Sequence, residues 1–392
     1  MKILHIVPSY KPAYLYGGPI KSVHDFNSAL VKLGVEVTVV TTAVNGKENL
    51  NVPLGKEVDL DGVKVIYFKA GFLRSWFYSS EMSVWLKEDM GKFDLVHITS
   101  VFLFASTIGA YYAKKFNKPY IISPRGSLMS EPVNKKSFLK KKIYINLIEK
   151  RNLAGAEAIH FTAEKEKDEY VDIGLPLKKG IVIPNGLNYD ELDIGSKPEE
   201  FREKLGIREN QKVILFLSRI SWKKGFDTLI PAFAKVLKEN KDAVLLIAGG
   251  DDEGYKKEVQ KIAEKEGVSG KIIYSGMLRG GEKVSAFRAA DVFVLPSYSE
   301  NFGNVILEAM HLGLPTIITN KIALADDILK NEAGIVIKKD VGELAESILK
   351  VLSDKEYSTK IGEAGRIFSQ KFNSDLIAKD WVKEYNSIIK TK

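Results

Sequence analysis

The 392 residues predict an α/β protein of two tandem Rossmann-like, doubly wound domains with an interdomain cleft. Three observations carry that expectation. Short apolar runs alternate with longer segments of helical period, the pattern of a parallel sheet covered by helices on both faces. The alternation occurs twice along the chain. Between its two occurrences lies a stretch rich in Pro, Gly, Asp and Asn without a buried strand, and at roughly 100 to 200 residues per domain a chain this long has room for two.

In the first half the apolar runs are KILHIV, VEVTVVTT, VKVIYF, DLVHIT, PYIIS, EAIHFT and GIVIP. The opening MKILHIVPSY is too short in its apolar part for a secretory leader and reads as a first buried strand. A helix follows Pro19, whose fixed φ suits a first turn, and Gly34 closes it. In the second half KVILFLS, AVLLIAGG, KIIYSG, DVFVLPS, PTIIT and AGIVI repeat the theme. The linker falls near residues 185–200, giving an amino-terminal domain over 1–190 and a carboxyl-terminal domain over 191–370. Residues 371–392 form an amphipathic helix with no strand after it. Its Trp381 and Tyr385, four apart, share one face and need a surface to dock on. Doubly wound sheets bind ligands beyond the carboxyl ends of their strands, where two such domains leave a cleft.

Composition removes several function classes. The chain has no cysteine, which excludes disulfides, thiolate metal sites and cysteine nucleophiles and fits a reducing compartment. No stretch approaches the ~18 apolar residues that span a bilayer. The expectation is a cytoplasmic protein, soluble or peripheral on the inner face of the cell membrane. A net charge of +8 is too dilute at this length to demand nucleic acid. The histidines His5, His24, His97, His160 and His311 show no metal spacing, and no G-x-G-x-x-G or P-loop appears, so neither metal nor cofactor is expected. His97 and His160 end strands facing the expected cleft, as substrate contacts or as satisfied core histidines. Asp59–Asp61, a DLD, reads as a turn ending in Asp-Gly ahead of a strand rather than as a metal-binding pair. Charge does concentrate in NKKSFLKKKIYINLIEKRNL, where residues 135–151 mix Lys and Arg with Phe, Leu and Ile. Such a segment suits an anionic membrane surface, or a solvated helix.

The chemistry-bearing stretch is SENFGNVILEA. It leaves a buried strand, passes Glu300 and Asn301, and enters a helix over FGNVILEAMHLG, from Phe302 through Gly303 and Asn304, that is ended by Gly313 and followed by Pro315. Unpaired amides and the positive dipole end at such a start suit a phosphate. Glu308 shares a helical face with Asn304, and its carboxylate suits the vicinal diol of a ribose, while Glu300 suits the hydroxyls of a sugar beyond the phosphates. Taken singly, each glutamate is ordinarily a dipole residue or a solvated helix position. The second strand, loop and helix, LFLSRISWKKGFDTLI, offers Arg219 and Lys224, the fixed cations a departing diphosphate needs. In PSYKPAYLYGGPIKSV, Gly17 and Gly18 lie between a strand end and a helix start, suited to a phosphate or to a tight turn.

Together SRISWKKGFDTLI, LLIAGGDDEGYKKEV, YSGMLRGGEKVSAFRAADVFVLPSYSENFGNVILEAMHLGLPTIIT, VIPNGLN and GGPIKSVHDFNSALVKLGVEVTVVTT resemble the family-four retaining glycosyltransferases of the GT-B fold. The resemblance implies a sugar moved from a nucleotide-diphosphate donor, with retention and without metal, to a glycan or lipid-linked acceptor in cell-surface polysaccharide or lipopolysaccharide biosynthesis. It implies that Glu308 binds the ribose, Glu300 the donor sugar, and Arg219 and Lys224 the diphosphate. By the same likeness the amides at Asn301 to Gly303 orient the sugar and Gly18 closes over the phosphates. The acceptor falls to the amino-terminal domain, to which the last helix crosses back. Where relatives carry Pro-His-Gly, this chain reads SPRGSLM, so Arg125 stands in the place of a sugar-contacting histidine. TNKIALADDI lacks the two usual glycines, and nothing is carried onto Asp326 or Asp327; Ser218 replaces a usual glycine. The rival readings are a nucleotide-sugar epimerase of the same plan and a nucleic-acid-binding protein.

Overall fold

Every apolar run picked out above becomes a strand, and these runs pair with one another in parallel. The computed structural model of the chain describes residues 1–129, 138–251 and 254–391, with the backbone alone at 138–140. The chain divides into two units, Met1–Asn188 with Ser374–Lys392, and Tyr189–Asn373.

In the first unit the strands are β1 (Lys2–Ile6), β2 (Glu36–Thr42), β3 (Val44–Asn45), β4 (Glu48–Asn49), β5 (Glu57–Leu60), β6 (Val63–Phe68), β7 (Leu95–Thr99), β8 (Tyr120–Ser123), β9 (Ala158–Phe161) and β10 (Gly180–Val182). Eight of them form one sheet in the order β10-β9-β8-β7-β1-β2-β6-β5. β1 lies between β2 and β7, with Ile3 level with Val37 and Leu95. Val, Ile and Leu dominate these strands because both faces of a parallel sheet are covered. The first helix, α1 (Gly18–Lys32), begins with Pro19 inside its first turn and is followed by Gly34 at φ 81°. β5 pairs antiparallel with β6 through the Asp61-Gly62 turn. The Asp-Gly turn is therefore real, but Asp59 lies in an edge strand that half-buried alternation over four residues did not reveal.

In the second unit β11 (Val213–Leu217), β12 (Val244–Ala248), β13 (Ile272–Gly276), β14 (Val292–Leu295), β15 (Thr316–Thr319) and β16 (Ile335–Ile337) form a sheet ordered β13-β12-β11-β14-β15-β16. The order reverses at β11, the topological switch point beside which open α/β sheets bind ligands. Three helices of this unit matter below: α2 (Phe226–Glu239), α3 (Gly280–Arg288) and α4 (Asn304–His311).

The chain ends in α5 (Ser374–Lys390), which belongs to the first unit. Its Ile377, Trp381, Tyr385 and Ile388 are buried in one apolar core with Phe26, Val23 and Leu30 of α1. Trp381 meets the Phe26 ring at 5.3 Å between centroids. Each large side chain so buried stabilises the docking by about 1.5 to 3 kcal/mol. Among the described residues no helix is long and apolar enough to cross a membrane.

Candidate active site

The loop between β11 and α2 carries both expected cations, Arg219 exposed at its start and Lys224 buried at its end. Gly225 follows with φ 73°, and a Cβ built there falls 2.0 Å from the carbonyl oxygen of Pro296. Only glycine permits this approach. The consequence is that the loop after β11 lies against the loop after β14, where Ser297 and Glu300 sit. Lys224 Nζ accordingly forms an ion pair with Glu300 Oε1, an oxygen that also accepts from Ser297 Oγ at 3.1 Å. Ser297 is held in turn, its carbonyl accepting from Thr319 Oγ1 at 2.6 Å, and the Glu300 carbonyl accepts from the Ala323 amide at 3.1 Å. Tyr298 braces the loop from outside, donating to Asp227 Oδ2 at 2.5 Å while Lys339 covers its ring at 3.7 Å.

Gly303, at φ 84°, is the cap residue from which α4 starts, and Phe302 is buried against Phe372 at 5.9 Å. Asn301 and Asn304 flank this start, half-buried. One turn into α4, Glu308 is not a solvated position. Its side chain is 5% exposed and its Oε2 is paired with Lys283 Nζ of α3 at 2.5 Å. The second unit thus brings Lys224 and Glu300 into direct contact, sets Arg219 on the same loop as Lys224, and places Glu308 on the helix that the Glu300 loop enters.

In the first unit Gly17 (φ 79°) caps α1 and Gly18 is its first residue, at the carboxyl edge of the sheet beyond β1. His97 is fully buried: its Nδ1 meets the Tyr385 hydroxyl at 2.6 Å and its Nε2 the Ser123 hydroxyl at 2.7 Å. With both nitrogens engaged in the core it is a structural histidine, and we do not carry it into the site. Ser123 continues to His160 Nδ1 at 2.7 Å, and His160 Nε2 to the Ile183 carbonyl at 2.8 Å. A carbonyl only accepts, so His160 donates from Nε2, Ser123 donates to His160, His97 donates to Ser123, and Tyr385 donates to His97. That direction requires both imidazoles neutral. Burial supplies the condition, pulling His160 down to about 3 and His97 well below the ordinary imidazole value.

Arg125, in the left-handed region at φ 54°, donates to Asn185 Oδ1, and its Nε is buried without a partner. Burial lowers the guanidinium to about 10. A small cavity beside it is lined by Phe26, His160, Asn185 and Trp381. Among the residues of the basic segment, Lys135 and Lys136 lie outside the described residues. Farther along it Ile143 and Leu147 are 56% and 62% exposed, with Lys142, Lys150 and Arg151 exposed beside them.

Sequence reasoning did not single out Lys283, Ser297 or Asn185. Lys283 lies 25 positions before Glu308 on another helix, and no local periodicity links the two.

Residues 197–368 match the glycosyl transferases group 1 family, and residues 16–191 match glycosyltransferase family 4. The chain belongs to the family-4 glycosyltransferases. This glycosyltransferase is 29% identical, over 98% of both chains, to an uncharacterized glycosyltransferase of Methanocaldococcus jannaschii. A capsular polysaccharide biosynthesis glycosyltransferase of Staphylococcus aureus is 28% identical across 64% of this chain and 67% of its own. Anabaena HepE, solved with UDP and glucose, superposes with a TM-score of 0.78 at 20% identity, covering 99% of this chain and all of its own. That likeness shows the GT-B fold. Glycosyltransferase membership favours neither an epimerase nor a nucleic-acid-binding protein.

Proposed function

We propose that this glycosyltransferase moves a sugar from a nucleotide-diphosphate donor to a glycan or lipid-linked acceptor, retaining the anomeric configuration and using no metal. The observation that carries this reading is the Lys224–Glu300 pair at the carboxyl ends of β11 and β14, with Arg219 on the same loop and Glu308 on the following helix. Charge develops on the diphosphate as the sugar departs, and Arg219, Lys224 and the amino end of α4 stabilise it. Glu300, drawn to Lys224, is then placed to accept from sugar hydroxyls while Lys224 meets the phosphates. Retaining hydrolases set two carboxyl groups about 5 Å apart, one as nucleophile. Here Glu300 is already taken up by Lys224. The acceptor instead attacks from the face the leaving group vacates, and a diphosphate oxygen takes the acceptor proton. Catalysis then rests on holding both partners in line.

A thermal-shift panel of UDP-, GDP- and ADP-sugars finds the donor, because a ligand that binds only the folded state raises its apparent stability. Transfer followed by NMR with that donor is expected to yield a product of the donor's anomeric configuration, at a rate unchanged by EDTA. An inverted product, or loss of turnover in EDTA that magnesium restores, contradicts retention or metal independence respectively.

The likeness to a capsular polysaccharide enzyme supports a role in cell-surface glycan assembly, polysaccharide or lipopolysaccharide. Exposed Ile143 and Leu147 among Lys142, Lys150 and Arg151 favour peripheral attachment to the inner, anionic face of the cell membrane. Equal sedimentation with anionic and neutral vesicles removes that part.

A further inference from the structure

Glu308 is a carboxylate almost sealed inside the second unit, flanked on α4 by the buried Ile306, Leu307, Ala309 and Met310. A buried charge is costly unless paired. Among the described residues its one ion-pair partner is Lys283, reached from a different helix, and the bond uses only Oε2. Among the described residues none pairs with Oε1, and the side chain keeps the small exposure noted above. Lys283 does not serve as a surface lysine either. Its side chain is 20% exposed, whereas its neighbour Glu282 turns outward to an exposed pair with Lys204. A single lysine thus supplies the counter-charge and fixes the plane of one carboxylate.

Resting on the donor-site reading above, we propose that Lys283 is a positioning residue for the ribose. It clamps Glu308 Oε2 so that Oε1 accepts from the vicinal diol of a ribonucleotide, and this makes the site select ribose over 2′-deoxyribose. A carboxylate held along one edge offers its remaining lone pairs in one fixed plane. A vicinal diol fills two of them. Without the 2′-hydroxyl one charged acceptor loses its donor, and a missing hydrogen bond to a charged group weakens binding about tenfold to a hundredfold.

Isothermal titration with UDP, GDP and ADP, and then with the 2′-deoxy counterpart of whichever binds, tests this. The wild-type enzyme is expected to bind the ribonucleotide at least about tenfold more tightly than its deoxy form. In Lys283→Met the ribonucleotide weakens until the preference nearly vanishes, while the deoxynucleotide changes little. Lys283→Arg keeps the counter-charge and restores most of the preference. The double variant Lys283→Met/Glu308→Gln removes both charges together, folds without a buried unpaired carboxylate, and shows no preference. A merely structural lysine would weaken both nucleotides equally. That result, or wild-type discrimination in Lys283→Met or in the double variant, overturns the proposal and leaves the donor site standing. Wild-type protein that binds none of the three nucleotides overturns the donor-site reading, and the role of Lys283 with it.

Discussion

Lys224 pairs directly with Glu300, so the cation proposed for the phosphates is partly neutralised by the carboxylate proposed for the sugar. Glu300→Gln should unmask Lys224 and tighten a nucleoside diphosphate several-fold. The same change should slow sugar transfer, because the donor sugar loses its acceptor. Calorimetry on the diphosphate beside turnover on the sugar nucleotide separates the two, and weakened diphosphate binding contradicts the masking. Lys224→Ala should lower turnover by about 10² to 10³, the range for one lost donor to developing charge, with a smaller effect on KM. Glu308→Ala should raise KM and the nucleotide Kd by about tenfold to a hundredfold with a lesser change in kcat. Steady-state kinetics that reverse these two assignments would place the ribose and phosphate groups the other way round.

At the scale of elements, the contact that assembles the site is the approach of two loops at Gly225. Gly225→Ala puts a methyl group into the Pro296 carbonyl and an alanine at positive φ. The loops must separate, which should cost about 1 to 3 kcal/mol in stability and reduce turnover beyond what stability explains. Denaturant midpoints and kcat on the same preparation check both, and an unchanged kcat means the loops need not touch. The strands were legible because parallel sheets bury both faces and leave short apolar runs. The helix α4 was legible from its apolar run and its Gly313 and Pro315 ending, but it begins at Asn304 rather than Phe302, because Gly303 turns into the left-handed region at φ 84° just before it. The β3–β4 hairpin and edge strand β5 were not, since two to four half-exposed residues leave no period to read. Trp381 and Tyr385 announced a buried face on the last helix. That Tyr385 ends a chain of hydrogen bonds through His97, Ser123 and His160 was invisible, because those residues lie as much as 288 positions apart.

For the whole molecule, the buried histidines make acid the vulnerable direction. Burial holds His5 and His160 near about 3 and His97 well below its ordinary value, so all three are neutral in the folded first unit. In the unfolded chain they titrate near ~6.5. Their folded values are depressed, so the unfolded chain binds more protons as pH falls below that point. The stability they contribute is complete above about 6.5 and is withdrawn as pH falls from there toward about 3, the value for His5 and His160. Hydrogen exchange at pH 7.5 and pH 5 should show the first unit losing protection while the second, which holds none of the three, loses less. Equal losses in both units would mean that the histidine chain is not what acid attacks.

The sequence by itself determined the repeated strand and helix order, the two Rossmann-like sheets and the residue types offered at each strand end, because burial and turn chemistry write periods and punctuation over neighbouring residues. Which of those residues meet was decided only in three dimensions. Lys224 to Glu300 spans 76 positions and Lys283 to Glu308 spans 25, and a charge finds its partner by where the backbone leaves it, not by how far along the chain it lies. The same holds for His97. Its place on a buried apolar run was plain from the start, but it falls in the middle of β7 rather than at its end, and the docking of the carboxyl-terminal helix engages it in the core, since a buried imidazole must spend both nitrogens on whatever packs against it.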